Sequence, residues 1–141
     1  MYYGLIKPEH AVDIVDAIVG VLGGGEKAKQ LMLETAMQES RLGMYRDRTD
    51  YGAGTGLCQA DKFPFEDRQY RMQRKTKWLE AIEKEFDVKW MDVNWRELEH
   101  SPLLSFLDCR ICYKLRPEPI PGSVAGRAAY WKQFYNTDLG S

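Results

Sequence analysis

The sequence has little that would suit a membrane-spanning or exported chain. Its longest apolar run, residues 17–22, is far too short to cross a bilayer. The N-terminus lacks the basic start followed by an apolar stretch that marks a signal peptide. We therefore predict no membrane span and no signal peptide.

Metal-ligating residues are also scarce. The 141 residues include only two histidines, His10 and His100, and three cysteines. Cys109 and Cys112 have the spacing of a redox or zinc motif, but they fall within an apolar helical pattern, which favours buried packing. With Cys58 they make an odd number, so free thiols are expected. We predict no metal and no cofactor.

No charge of one sign dominates the chain. Lys and Arg total 20 against 21 Asp and Glu, for a formal net charge of -1. Such a balance provides no global basic field to recruit nucleic acid, so no nucleic-acid partner is predicted. The cations between residues 68 and 77 are interrupted by acidic residues and suit a solvated helix face.

What the sequence does contain is helical periodicity. Apolar residues recur at helical spacing after Pro8, and glycines 23–25 end that pattern. We predict helices over 12–22, 26–41, 64–86 and 102–115, a weak turn over 90–98, a loop or short β-hairpin over 44–61, and a last helix after Ser123. The expected fold is mainly α, with a small β part. Residues 1–141 would form one domain, with five or six helices around a cleft.

Glu39 stands out as a candidate acid. It falls in the last turn of the second predicted helix, which Gly43 is expected to close. The negative end of the helix dipole and apolar neighbours such as Met37 and Leu42 favour a protonated carboxyl there. A neutral carboxylic acid can protonate a glycosidic leaving oxygen. A solvated helix-end carboxylate is the alternative.

The stretch after Glu39 carries a resemblance. Glu39-Ser40, followed after a polar loop by Gly56-Leu57-Cys58-Gln59, resembles the E-S … G-A-x-G-L-M-Q signature of soluble lytic transglycosylases and goose-type lysozymes. Tyr135-Asn136 is similar to that family's aromatic-Asn landmark. The chain departs from the pattern at Ala53-Gly54, at Cys58 and at Thr137-Asp138.

The resemblance implies a lysozyme-like α+β fold and roles for these residues. Glu39 would be the sole catalytic acid/base, and the turn with Leu57 would line a saccharide groove. Gly54 and Gly56 would let the backbone approach the glycan, Gln59 would hydrogen-bond the sugar, and tyrosines would stack on it, among them Tyr45, Tyr51 and Tyr135. Alternatively, the glycines serve only the turn, Gln59 is a capping amide and Tyr135 is a core residue.

Three functions stay open. The first is a phage-associated lytic transglycosylase acting on peptidoglycan glycan strands. The second is an inverting goose-type hydrolase in which Asp47, Asp50 or Asp61 positions a water. The third is a weak or inactive lysozyme-like virion component, in contact with other virion proteins. The Y-W-K-x-x-Y-N-T ending looks like the tails of small bacteriophage proteins. Such a protein is expected to be made in the host cytoplasm and to be virion-associated or released to the periplasm.

Overall fold

The structure is a computed structural model that describes residues 1–46 and 54–136. These residues form six α-helices, two short 3-10 helices and a two-stranded antiparallel sheet. The helices are α1 (Pro8–Leu22), α2 (Gly25–Ser40), α3 (Lys62–Met72), α4 (Thr76–Phe86), α5 (Pro102–Lys114) and α6 (Val124–Phe134). The strands are β1 (Gly54–Thr55) and β2 (Ala60–Asp61), and the 3-10 helices are Trp90–Asp92 and Trp95–His100. The predicted mainly α fold with a small β-hairpin is confirmed.

Helix α5 lies at the centre of the fold. Every residue from Ser105 to Tyr113 is buried, and the helix packs against α1, α2 and α3. A helix that is covered on all sides has to satisfy its polar side chains internally. Asp108 does so through Arg68 of α3, whose Nε and terminal nitrogen lie 2.9 and 2.6 Å from the two carboxylate oxygens.

Helix α1 begins at Pro8, ahead of the predicted range 12–22, and ends at Leu22 as predicted, capped by Gly23, whose N–H bonds the carbonyl of Val19. One residue of its buried face differs from the expected set. Ala11 enters the core, and Val12 remains exposed. The small side chain lets α1 lie close to its neighbours.

The single helix predicted over 64–86 is wrong, because the chain turns at Gln73–Lys75 and forms α3 and α4. The Lys75 N–H bonds the carbonyl of Met72 and closes that turn. The break allows α3 to pack on α5 and the hairpin, while α4 packs on α1. Apolar periodicity within each half does not reveal that the halves have different neighbours.

The hairpin joins the end of α2 to the start of α3. Gly54 pairs with Asp61 and Thr55 with Ala60, which leaves residues 56–59 as the connecting turn. The indole N–H of Trp95 donates to the carbonyl of Ala60 at 2.8 Å and fixes the hairpin on the second 3-10 helix. No helix among the described residues is long and apolar enough to cross a membrane.

Candidate functional site

Glu39 is the penultimate residue of α2 and is partly buried. The chain turns left-handed immediately after the helix, at Arg41, Leu42 and Gly43, with φ angles of 50°, 54° and 83°. The expected cap at Gly43 therefore begins two residues earlier, at Arg41. The N–H groups of Arg41 and Leu42 bond the carbonyls of Met37 and Ala36, and the Ser40 hydroxyl also lies 3.2 Å from the Ala36 carbonyl oxygen, so backbone and side chain together close the last helical turn.

Ser40 connects this helix end to the hairpin turn. Its hydroxyl donates to the carbonyl of Leu57 at 2.7 Å, and it accepts the N–H of Gly43 at 3.0 Å. Ser40 and Leu57 are both buried. The two halves of the sequence motif are thus held together by the residue that follows Glu39.

The turn itself is a tightly packed element. Gly56 has a φ of 75°, and a Cβ there would meet the carbonyl oxygen of Leu98 and approach the Ser105 hydroxyl to 2.7 Å. A Cβ at Gly54 would lie 2.5 Å from the backbone of Gln59. Both glycines are therefore required by the protein's own packing, which is the turn interpretation of these residues.

Leu57 and Gln59 also serve the turn. The Leu57 side chain is completely buried, so it supports the turn from the core side. The Gln59 amide donates back to the carbonyl of Gly56 at 2.9 Å, a contact within the hairpin turn and not at a helix end. Gln59 is only partly buried and has a φ of 49°.

Tyr135 approaches the same turn from the end of α6. Its hydroxyl donates a short hydrogen bond to the carbonyl of Cys58, and its ring packs 5.8 Å from that of Tyr113. Burial raises the pKa of Tyr135 well above 10, so the hydroxyl stays protonated and can donate. The three motif segments, distant in sequence, therefore meet at one turn.

Trp131 is a site residue that the motif comparison does not identify. Its indole Nε1 donates to Oε2 of Glu39 at 3.1 Å, from α6 to α2. Trp131 precedes Tyr135 by four residues, so both lie on one face of α6. That spacing is the signal in the sequence that would have indicated it.

The surroundings favour the neutral form of Glu39. Burial raises its pKa from the ordinary 4.5 to about 7, the Trp131 hydrogen bond opposes this rise, and the charge of Asp61 adds to it. Near neutral pH, Glu39 is therefore partly protonated and partly ionised. A group with such a pKa can give up a proton and take one back.

Asp61 is the second carboxylate near Glu39. Burial raises its pKa above the ordinary 3.8, and the Arg68 guanidinium opposes that rise. The two other aspartates predicted as alternatives, Asp47 and Asp50, lie outside the described residues, as does Tyr51. Tyr45 lies within the described residues, and its side chain is exposed.

An apolar groove of about 520 Å³ runs between α2 and α6 next to this cluster. Trp131 lines it together with Leu31, Met37, Val124 and Ala128. At its rim, Arg127 holds Glu34 in a two-point ion pair of 2.6 and 3.0 Å. Glu34 is therefore engaged by a cation, whereas no cation within residues 1–46 and 54–136 pairs with Glu39.

The cysteines are free and buried, and the predicted packing role of Cys109 and Cys112 is confirmed. Burial raises the pKa of the Cys112 thiol to about 12, which keeps it protonated and unreactive. Among residues 1–46 and 54–136, no group of three His, Cys, Asp or Glu side chains is placed to hold a metal ion.

The chain matches no family model, no curated protein and no solved structure. Its resemblance to the transglycosylases and goose-type lysozymes consequently rests on the motif residues of the sequence.

Proposed function

We propose that this protein cleaves the glycan strands of peptidoglycan as a lytic transglycosylase, with Glu39 as the sole general acid/base. The observation that supports this most is the arrangement of Glu39. A carboxyl with a pKa of about 7 lies beside a groove and is connected to the G-L-C-Q turn through Ser40. The setting in phage infection, whether in the virion or in the host periplasm, belongs to the same proposal.

The reaction needs two proton transfers through one carboxyl group. Protonated Glu39 gives its proton to the glycosidic oxygen as the bond from that oxygen to the anomeric carbon breaks. The primary hydroxyl of the same muramic acid then bonds to the anomeric carbon and returns a proton to the Glu39 carboxylate. The sugar leaves with an internal anhydro ring, the carboxyl is restored and water is not consumed.

Asp61 favours a second candidate, an inverting hydrolase. Its charge acts on Glu39, and its position on β2 gives the site the second carboxylate that most glycosidases use. In that reaction Asp61 would take a proton from a water that attacks the anomeric carbon opposite Glu39. The product would then carry a free reducing end.

Product analysis distinguishes the candidates. Purified peptidoglycan is digested in ¹⁸O-labelled water and the released fragments are analysed by mass spectrometry. Anhydro ends without label support the transglycosylase, and labelled reducing ends support the hydrolase. Release of neither product by folded protein would overturn both and favour the virion-component function.

The matched controls come from one helix. Glu39→Gln keeps the shape of the side chain but cannot donate a proton, and activity should fall by about 10²–10⁴-fold or more. Glu34→Gln, also on α2, loses its ion pair with Arg127 and should retain the activity of the folded protein. If Glu39→Gln cleaves as well as the parent, Glu39 is not the acid.

A further inference from the structure

The hydrogen bond between Trp131 and Glu39 has a chemical direction. An indole N–H is only a donor, so the oxygen facing it, Oε2, must act as an acceptor. A proton on Oε2 that pointed at the indole would meet another hydrogen. Because the carbonyl oxygen of a neutral carboxyl is a stronger acceptor than its hydroxyl oxygen, this contact favours the carbonyl at Oε2 and the acidic proton on the other oxygen, Oε1.

The contact also restricts where the carboxyl can point. Glu39 lies at the end of α2 and Trp131 in the last turns of α6, and the indole is held at the wall of the groove between these helices. Within the described part of the chain, no other hydrogen bond reaches the Glu39 carboxyl. Among those residues, Trp131 is thus the group that holds the Glu39 carboxyl.

We infer that Trp131 is a positioning residue of the proposed site, which holds Oε2 of Glu39 and leaves Oε1 to carry the proton to the glycan. This inference rests on the proposed function for its effect on catalysis. The hydrogen bond itself is independent of that function and can be measured in its absence. A Trp in this role stabilises the ionised acid as well, because its N–H also bonds the carboxylate after proton transfer.

Trp131→Phe tests the inference, because it keeps an aromatic ring and removes the N–H. We expect kcat to fall by roughly tenfold to a hundredfold through misplacement of the acid, with KM for glycan nearly unchanged. The alkaline limb of the pH–rate profile should move to higher pH, since the hydrogen bond lowers the pKa of Glu39. Trp78→Phe on α4 is the matched control, because Trp78 packs between Lys75 and Lys114 and should leave both quantities unchanged.

Two spectroscopic measurements do not need activity. In ¹³C-Glu-labelled protein, Glu39 should titrate near pH 7 in the parent and higher in Trp131→Phe. In ¹⁵N-Trp-labelled parent protein, the Trp131 indole resonance should follow the same titration and cease to move in Glu39→Gln. The second measurement needs no Trp131 variant and so remains informative if Trp131→Phe does not fold.

The outcomes separate the inference from the proposed function. A parent protein without glycan cleavage but with coupled Glu39 and Trp131 titrations would overturn the function and keep the hydrogen bond. A Trp131 indole resonance that does not shift as Glu39 titrates would overturn the inference. A Trp131→Phe variant with a raised KM and an unchanged kcat would also overturn it. That result would indicate that Trp131 contacts the sugar and does not position the acid.

Discussion

The hydroxyl of Ser40 donates a 2.7 Å hydrogen bond to the carbonyl oxygen of Leu57, so the residue after the candidate acid holds the turn of the hairpin. The link gives a physical reason for the Glu-Ser pairing in this sequence. Glu39 and Ser40 point in different directions from the same helix end, Glu39 toward Trp131 of α6 and Ser40 toward the turn. The distance between acid and turn is therefore set by two adjacent residues.

Replacing Ser40 with Ala should destabilise the protein and disturb the site together. The buried carbonyl of Leu57 would lose its partner, at a cost of about 1–3 kcal/mol in the free energy of unfolding. Urea unfolding measures this loss, and glycan release per folded molecule should fall as well.

The control for this prediction is Ser101→Ala, which removes the N-cap of α5. It should also cost about 1 kcal/mol but leave the specific activity of folded protein intact. Equal activities in the two variants would show that Ser40 is only a stabilising residue.

The pKa of Glu39 predicts how stability depends on pH. The folded-state value, about 7, lies above the ordinary 4.5, so between these pH values the folded protein binds more protons than the unfolded chain. The free energy of unfolding should therefore decrease as pH rises from 4.5 to 7 and lose this dependence above 7. Glu39→Gln, which cannot ionise, should become more stable than the parent across that interval.

Urea titrations of both proteins at several pH values check the sign. Carboxyl groups that do not interact with Glu39 contribute equally to both proteins, so the difference between the two curves reports Glu39 together with its interaction with Asp61. A difference that stays constant with pH would mean that Glu39 titrates normally and is not set up as an acid.

Asp61→Asn should separate the two enzymatic mechanisms. The substitution removes a negative charge that raises the pKa of Glu39, so the alkaline limb of the pH–rate profile should move to lower pH. A transglycosylase would otherwise keep its rate near neutral pH. A hydrolase would lose its general base and about 10²–10⁴-fold in rate.

Profiles of kcat against pH, recorded with parent and variant on the same glycan, give both readouts. An unmoved limb would show that Asp61 does not act on Glu39. Loss of rate with unlabelled anhydro products in the parent would contradict both mechanisms as stated.

Local patterns in the sequence predicted the helices and the hairpin well, because each depends on residues close in the chain. The glycines after Leu22 end α1 as expected. The break between α3 and α4 was missed, since it is imposed by different packing partners.

The site was predictable only where a motif was present. The motif drew attention to Glu39, the turn and Tyr135, but a motif does not say which way a side chain faces. The burial of Leu57 and the lack of room for a Cβ at Gly56 depend on the second 3-10 helix and on α5. Trp131 reaches Glu39 across more than half of the chain, a relationship that only tertiary structure creates.

The last prediction concerns Gly56, where a glycan contact and a packing constraint predict different effects of a substitution. With a φ of 75° and the carbonyl of Leu98 in the place of a Cβ, Gly56→Ala should strain the turn and displace the second 3-10 helix. We expect a loss of about 1–3 kcal/mol or more in the free energy of unfolding.

Gly20→Ala is the matched control, because no atom lies within 4 Å of its added Cβ and α1 is helical there. That variant should gain about 0.5–1 kcal/mol. Thermal and urea unfolding of the two variants give the comparison, and glycan binding by the folded fraction of Gly56→Ala adds a second test. If Gly56→Ala is as stable as the parent and fails only in glycan binding, the glycine faces the saccharide and the packing account of the turn is wrong.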